Sequence, residues 1–148
     1  MYQSIVVGTD GSESAQAAVS SAAELALLAG ARLTVVTAYR SVRALALMAA
    51  GGSAAIDLVD AEDQQRMEAE ELLTHAVMRV DAGGVRITTE ARAGDPAEVL
   101  ISTAEEVGAD LIVVGNRGMG GVARFLLGSV PNRVAHHAPC AVLIAHTS

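Results

Sequence analysis

Lysine is absent from the chain: all ten basic residues among the 148 are arginine. That excludes a P-loop lysine and a lysine Schiff base, so any phosphate site must rest on backbone amides and arginine. Tryptophan is missing too, and aromatics make up 2 % of the residues, which leaves no stacking platform for a single strand of nucleic acid. The formal net charge of −7, with no basic run, has the wrong sign for a phosphate backbone. Nucleic acid is therefore not an expected partner. A lone Cys140 permits no internal disulfide, and Met1-Tyr2-Gln3-Ser4 opens into a strand pattern without a basic leader. The expected compartment is the cytoplasm. Glu24, Arg32 and Arg43 break the richest apolar stretch well short of the roughly 18 residues a membrane span needs, so no membrane partner is expected.

What is present is small and apolar. Ala, Val, Leu and Ile supply most of an apolar fraction of 51 %, and such side chains suit helices packed closely on a sheet. The length predicts one domain, residues 1–148, burying roughly two-thirds of its unfolded surface. Ser4 to Gly8 (SIVVG) reads as a first buried strand ending in Thr-Asp-Gly-Ser. Ala17, Ala18, Ala22, Leu25, Ala26 and Ala29 recur at helical spacing before Gly30, and Arg32 to Tyr39 forms the second strand. Ala61 to Val80 reads as a second helix, stopped by Gly83-Gly84, and the alternating Val85 to Arg92 as a strand near a sheet edge. Asp95-Pro96-Ala97-Glu98 is a helix start with an Asp cap and Pro in the first turn, and Gly108 ends that helix. Asp110 to Gly115 is a nearly pure apolar strand; a Gly-rich loop, Asn116 to Leu127, leads to a helix from Ser129 and a last strand, Cys140 to His146.

This alternation predicts a parallel sheet with right-handed crossovers and helices on both faces. Ligands then sit outside the carboxyl ends of the strands, where the strand order reverses. The first and fourth strands, the most apolar, are the expected central pair. Their ends carry Gly8-Thr9-Asp10-Gly11-Ser12 and Gly115-Asn116-Arg117-Gly118. One segment, Arg40 to Asp60, is too long for a compact connection and reads equally as a flexible flap over the site or as a tolerated insertion.

Gly115, Gly118 and Gly128-Ser129 form the pattern G-x2-G-x9-G-S between a strand and the next helix. Glycine lets a polyanion approach the backbone, and the helix start at Ser129 offers free N–H groups and a favourable dipole. Arg117 and Arg124 can add charge, Arg117 being the better placed. With this pattern, the strand-end Asp10-Gly11-Ser12 and the Gly94-Asp95-Pro96-Ala97-Glu98 segment, nearly the whole chain resembles the universal stress protein family, in particular its ATP-binding branch.

The resemblance implies a doubly wound, Rossmann-like sheet of five parallel strands in the order 3-2-1-4-5 and a bound adenine nucleotide: ATP, with or without Mg²⁺, or a relative such as cyclic AMP. Carried onto this sequence, Gly8, Thr9 and Asp10 lie beside the ribose or adenine, and Ala38 meets the adenine edge. Gly115, Asn116, Arg117, Gly118, Gly128, Ser129 and Val130 surround the phosphates. It further implies a homodimer in which last strands, Ala141 to Ala145, pair across a two-fold axis.

Other readings of these residues stay open. Asp10 can equally be the N-cap of the first helix, with Glu13 completing a capping box. Gly118, Gly120 and Gly121 can mark only a loose loop, and Met119, Phe125, Leu126 and Leu127 suit packing better than ligand contact. Adjacent His136 and His137 diverge on a helix and lack a third ligand, which favours a helix C-cap over a metal site. Cys140 reads as inert core, and no catalytic residues stand out. The leading function is a stress-response protein that senses or sequesters the nucleotide; the alternatives are a slow ATPase and a dimeric module in which nucleotide is structural. A dehydrogenase is disfavoured, because the first strand–helix turn lacks G-x-G-x-x-G.

Overall fold

The computed structural model describes residues 1–41, 53–81, 83–117 and 127–146, with the side chains of 53–56 also outside the description. Its elements run β1 (Ser4–Gly8), α1 (Glu13–Ala29), β2 (Arg32–Tyr39), α2 (Ser53–Met78), β3 (Ile87–Ala93), α3 (Pro96–Val107), β4 (Leu111–Gly115), α4 (Ser129–His137) and β5 (Ala141–Ala145). The five strands form one parallel sheet in the order β3-β2-β1-β4-β5. β1 and β4 are paired at its centre, Ile5 beside Leu111 and Val7 beside Val113.

Strand side chains alternate between the faces, and each face has its own core. Ile5, Val7, Leu33, Val35, Leu111 and Val113 pack under Ala18, Val19, Ala22 and Ala26 of α1 and Leu73 of α2. Val6, Val36, Ile112 and Val114 pack under Ala97, Leu100 and Ala104 of α3 and Val134 of α4. Two crossovers step from β1 toward β3 and two from β3 back past β1 to β5, so right-handedness puts α1 and α2 on one face and α3 and α4 on the other. The reversal falls between β1 and β4. Alanine along α1 lets that helix lie close to the strands.

The helix ends follow local chemistry. Asp95 caps α3, its carboxylate accepting the Glu98 N–H at 3.1 Å, with Pro96 in the first turn. Gly30 and Gly108 close α1 and α3 in the left-handed conformation, at φ 67° and 63°. The cap of α1 is Ser12, whose hydroxyl accepts the Ala15 N–H at 3.2 Å, rather than Asp10. Asp10 lies two residues earlier and takes the Ser12 N–H at 2.9 Å in a local turn. The second helix starts at Ser53, eight residues before the expected Ala61, inside the segment read as a connection. Neither Gly nor Pro interrupts 54–61, where Ala54, Ala55, Leu58 and Ala61 are good helix formers, and the Gly51-Gly52 punctuation lies just upstream. Residues 42–52 of that segment lie outside the described residues.

At the amino ends of the strands, opposite the site, Asp110 fastens the chain start. Its carboxylate accepts the Gln3 N–H at 2.9 Å and the Ser4 N–H at 3.2 Å. Desolvation raises the Asp110 carboxyl, but those amides outweigh it and hold it below the ordinary aspartate value. On the β3 edge, Arg92 bridges Glu90 and Glu106; its hydrogen bond holds the Glu106 carboxyl low. Cys140 lies just before β5, its thiol pushed up by burial and by the charge of Asp110. Among the described residues no helix is long and apolar enough to cross a membrane.

Candidate functional site

A cavity of about 560 Å³ opens at the carboxyl ends of β1, β2 and β4, the position a doubly wound sheet reserves for ligands. Its walls differ at two ends. Val36, Ala38, Val99 and Leu100 make an apolar compartment between β2 and α3, extended by Ala69 and Leu72 of α2. Gly115, Arg117, Gly128, Ser129 and Val130 make the other end, where the β4–α4 loop meets α4. Thr9, Asp10, Thr37, Gln65 and Glu68 line the space as polar groups.

Of the residues expected at the site, Gly8, Thr9, Asp10, Ala38, Gly115, Arg117, Gly128, Ser129 and Val130 are brought together on this cavity. Asn116 stands behind the wall instead. It is buried, and its backbone N–H donates to Ala145 O at 3.0 Å while its carbonyl accepts the Gly128 N–H at 3.2 Å. Gly118, like Met119, Gly120, Gly121, Arg124, Phe125 and Leu126, lies outside the described residues.

The first turn is held by its own backbone. Thr9 N–H donates to Val36 O at 2.9 Å, extending the β1–β2 ladder past Gly8, and the Thr9 hydroxyl accepts the Gly11 N–H at 3.2 Å. These bonds, with the Asp10–Ser12 turn, fix Asp10 against the cavity.

At the other end α4 starts with Gly128 as N-cap, and no side chain caps it. The amides of Ser129 and Val130 have no partner within the helix, and Pro131 brings no N–H, so two backbone donors and the positive end of the dipole meet the cavity. Arg117 adds a cation whose Nε is buried without a hydrogen-bond partner. A buried, unsatisfied guanidinium nitrogen is costly, and Arg117 also lines the cavity. Arg133 also lines the cavity, but it is occupied: its guanidinium binds Asp95 at 2.8 Å and Glu98 at 3.7 Å, joining α4 to the start of α3.

The structure gives Gly115 a reason the glycine pattern does not. Its φ is not positive; the constraint is space. A Cβ there would stand 2.6 Å from Ser14 Oγ and 2.8 Å from the Ser14 carbonyl oxygen, because α1 passes directly over the end of β4.

Sequence reasoning missed the α2 contribution, Gln65, Glu68, Ala69 and Leu72, and most of the apolar compartment. Val36 and Leu100 carry no signal beyond core periodicity, so only the topology reveals which core residues reach the cavity. The Gly94-Asp95-Pro96 start of α3 was the available pointer to Asp95, Pro96 and Val99. Among the described residues no histidine or cysteine lines the cavity, and no three His, Cys, Asp or Glu side chains form a metal-binding group. His136 and His137 stand exposed in the last turn of α4.

Compared with known proteins, residues 1–146 match the universal stress protein family. A universal stress protein from Mycobacterium tuberculosis is 37 % identical over 151 residues, covering 99 % of this chain and 98 % of its own. A crystal structure of a universal stress protein in complex with cAMP is 37 % identical, with a TM-score of 0.65, covering 99 % of this chain and 98 % of that one. A universal stress protein from Lactobacillus plantarum is 26 % identical, with a TM-score of 0.76 and 97 % of each chain covered.

Proposed function

The chain belongs to the universal stress protein family, and on that basis we propose that it binds an adenine nucleotide and senses or sequesters it. The observation that carries this reading is a single cavity with an apolar compartment at one end and, at the other, an uncapped helix N-terminus beside a buried unpartnered guanidinium nitrogen. The base fits between Val36, Ala38, Val99 and Leu100; the phosphate fits against the amides of Ser129 and Val130 and Arg117. Asp10, turned toward the cavity between the two ends, faces the ribose.

Charge favours a nucleotide of low charge, such as cyclic AMP, over ATP. Asp10 and Glu68 line the cavity, Arg133 and Asp95 are paired with each other, and of the described cations that leaves Arg117. One cation and one helix end balance a phosphodiester better than a triphosphate. The relative crystallised with cAMP supports the same choice. Bound ATP would bring Mg²⁺ on its own phosphates, since the described residues hold no ready group of metal ligands. Mass spectrometry of small molecules released on denaturing the freshly purified protein, followed by competition of cyclic AMP against ATP in one calorimetric titration, tests the reading. We expect an adenine compound and preference for the cyclic form; no uptake of either at millimolar concentration overturns it.

The same reading includes a homodimer through β5. That strand is a sheet edge made entirely of apolar residues, with Leu143 37 % exposed, a surface that invites pairing with a second copy. Leu143→Arg is expected to halve the mass in solution; an unchanged mass, or a monomeric wild type, refutes it.

A further inference from the structure

Ser14 lies in the first turn of α1, between Glu13 and Ala15, and it is 7 % exposed. Its buried hydroxyl must find hydrogen-bond partners. It has two partners, both more than a hundred residues away in sequence. Ser14 Oγ donates to Asn116 Oδ1 at 3.3 Å and accepts the Arg117 N–H at 3.3 Å. Its single proton and one lone pair are thereby directed at the first two residues after β4.

Those two residues lead to the phosphate end of the cavity. Arg117 carries the unpartnered Nε, and the Asn116 carbonyl holds the N–H of Gly128, the cap residue of α4. Both ends of the 117–127 segment are thus referred to one point, and that point is braced by Ser14. Ser14 itself is not among the residues lining the cavity. Gly115 admits the brace: only a residue without a side chain lets α1 come this close.

We propose that Ser14 is a positioning residue for anion binding, acting through Asn116 and Arg117 to set the Arg117 side chain and the start of α4 against a phosphate. The proposal rests on the nucleotide reading above. It separates two ligands that share a base and a ribose: adenosine, which leaves the phosphate end empty, and cyclic AMP, which fills it.

The test compares wild type and Ser14→Ala in calorimetric titrations with adenosine and with cyclic AMP, alongside thermal unfolding. Loss of two neutral hydrogen bonds predicts cyclic AMP binding weakened roughly tenfold, with adenosine binding within about twofold of wild type. Should Ser14→Ala not fold, Ser14→Cys, whose thiol is a weak donor and acceptor, is expected to show the same selective loss in smaller measure. Equal weakening of both ligands, in step with a lower unfolding midpoint, marks a merely structural serine and overturns the proposal; so does unchanged binding of both. A wild type that takes up neither ligand overturns the nucleotide reading, and this proposal with it.

Discussion

Gly115→Ala is expected to destabilise the protein sharply even in the absence of any ligand. The added Cβ would meet Ser14 Oγ at 2.6 Å, Ser14 O at 2.8 Å and Ser14 C at 3.0 Å. A normal carbon contact needs roughly 3.5 Å, so the end of β4 and the first turn of α1 would have to part by about half an ångström or more. No rotamer relieves this, because two of the three atoms are backbone. β4 is paired on both edges and α1 is pinned by its own core contacts, so the strain falls on the centre of the fold. Overpacking of this kind costs about 1–3 kcal/mol, and a backbone clash belongs at the upper end. At about 2–4 °C per kcal/mol for a chain of this size, the unfolding midpoint drops by roughly 6–12 °C.

Gly8→Ala is the control. Its Cβ would lie 2.9 Å from both terminal carbons of Leu100, a similar crowding against a side chain that can turn away. The entropy gained by removing a glycine from the unfolded chain offsets part of the cost, leaving about 1 kcal/mol or less. Circular-dichroism melts of both variants, with denaturant titrations to confirm an unchanged slope, decide the matter. If Gly115→Ala melts within about 2 °C of wild type, or no lower than Gly8→Ala, the close approach of α1 is not why glycine stands at 115.

Asp110→Asn removes a charge that accepts the Gln3 and Ser4 amides. Because the folded carboxyl is held below its ordinary value, it stabilises the fold above the ordinary carboxylate range, and that contribution disappears as pH falls through the lowered value. The variant is therefore expected to melt below wild type at neutral pH, with the gap closing on acidification past about pH 4; a gap that stays constant or widens refutes the assignment. Arg117→Gln is expected to weaken cyclic AMP about 10- to 100-fold, as loss of a charged hydrogen bond implies, while adenosine binding holds. Titration at two salt concentrations should also show a shallower salt dependence, and equal losses for both ligands would place Arg117 in the fold rather than at the phosphate.

The architecture was legible because its signals are local. An apolar run such as Leu111 to Val114 can only be a strand covered on both faces, and Asp95-Pro96 can hardly be anything but a helix start. The glycine pattern likewise placed Gly128 and Ser129 at a helix N-terminus, where they stand. Illegible were the features that exist only between distant elements. The expected helix from Ala61 already held Gln65 and Glu68, yet without the rest of the fold nothing showed that this helix lies over the carboxyl ends of the strands, where those residues line the cavity. Asp10 looked like a helix cap because Glu13 follows at the right spacing, but Ser12 is nearer the helix and takes the role.

Gly115 carries the point furthest. In a phosphate-binding pattern a glycine invites the explanation that ligand must approach the backbone, and that explanation requires nothing of α1. In the structure the space is taken by Ser14, a residue of the first helix, whose hydroxyl then holds Asn116 and Arg117. A glycine needed for ligand approach would leave the ligand-free protein as stable with alanine as without; a glycine needed for α1 would not. The two accounts thus disagree where no nucleotide is present, and the residue named by the pattern is explained by one that the pattern never mentions.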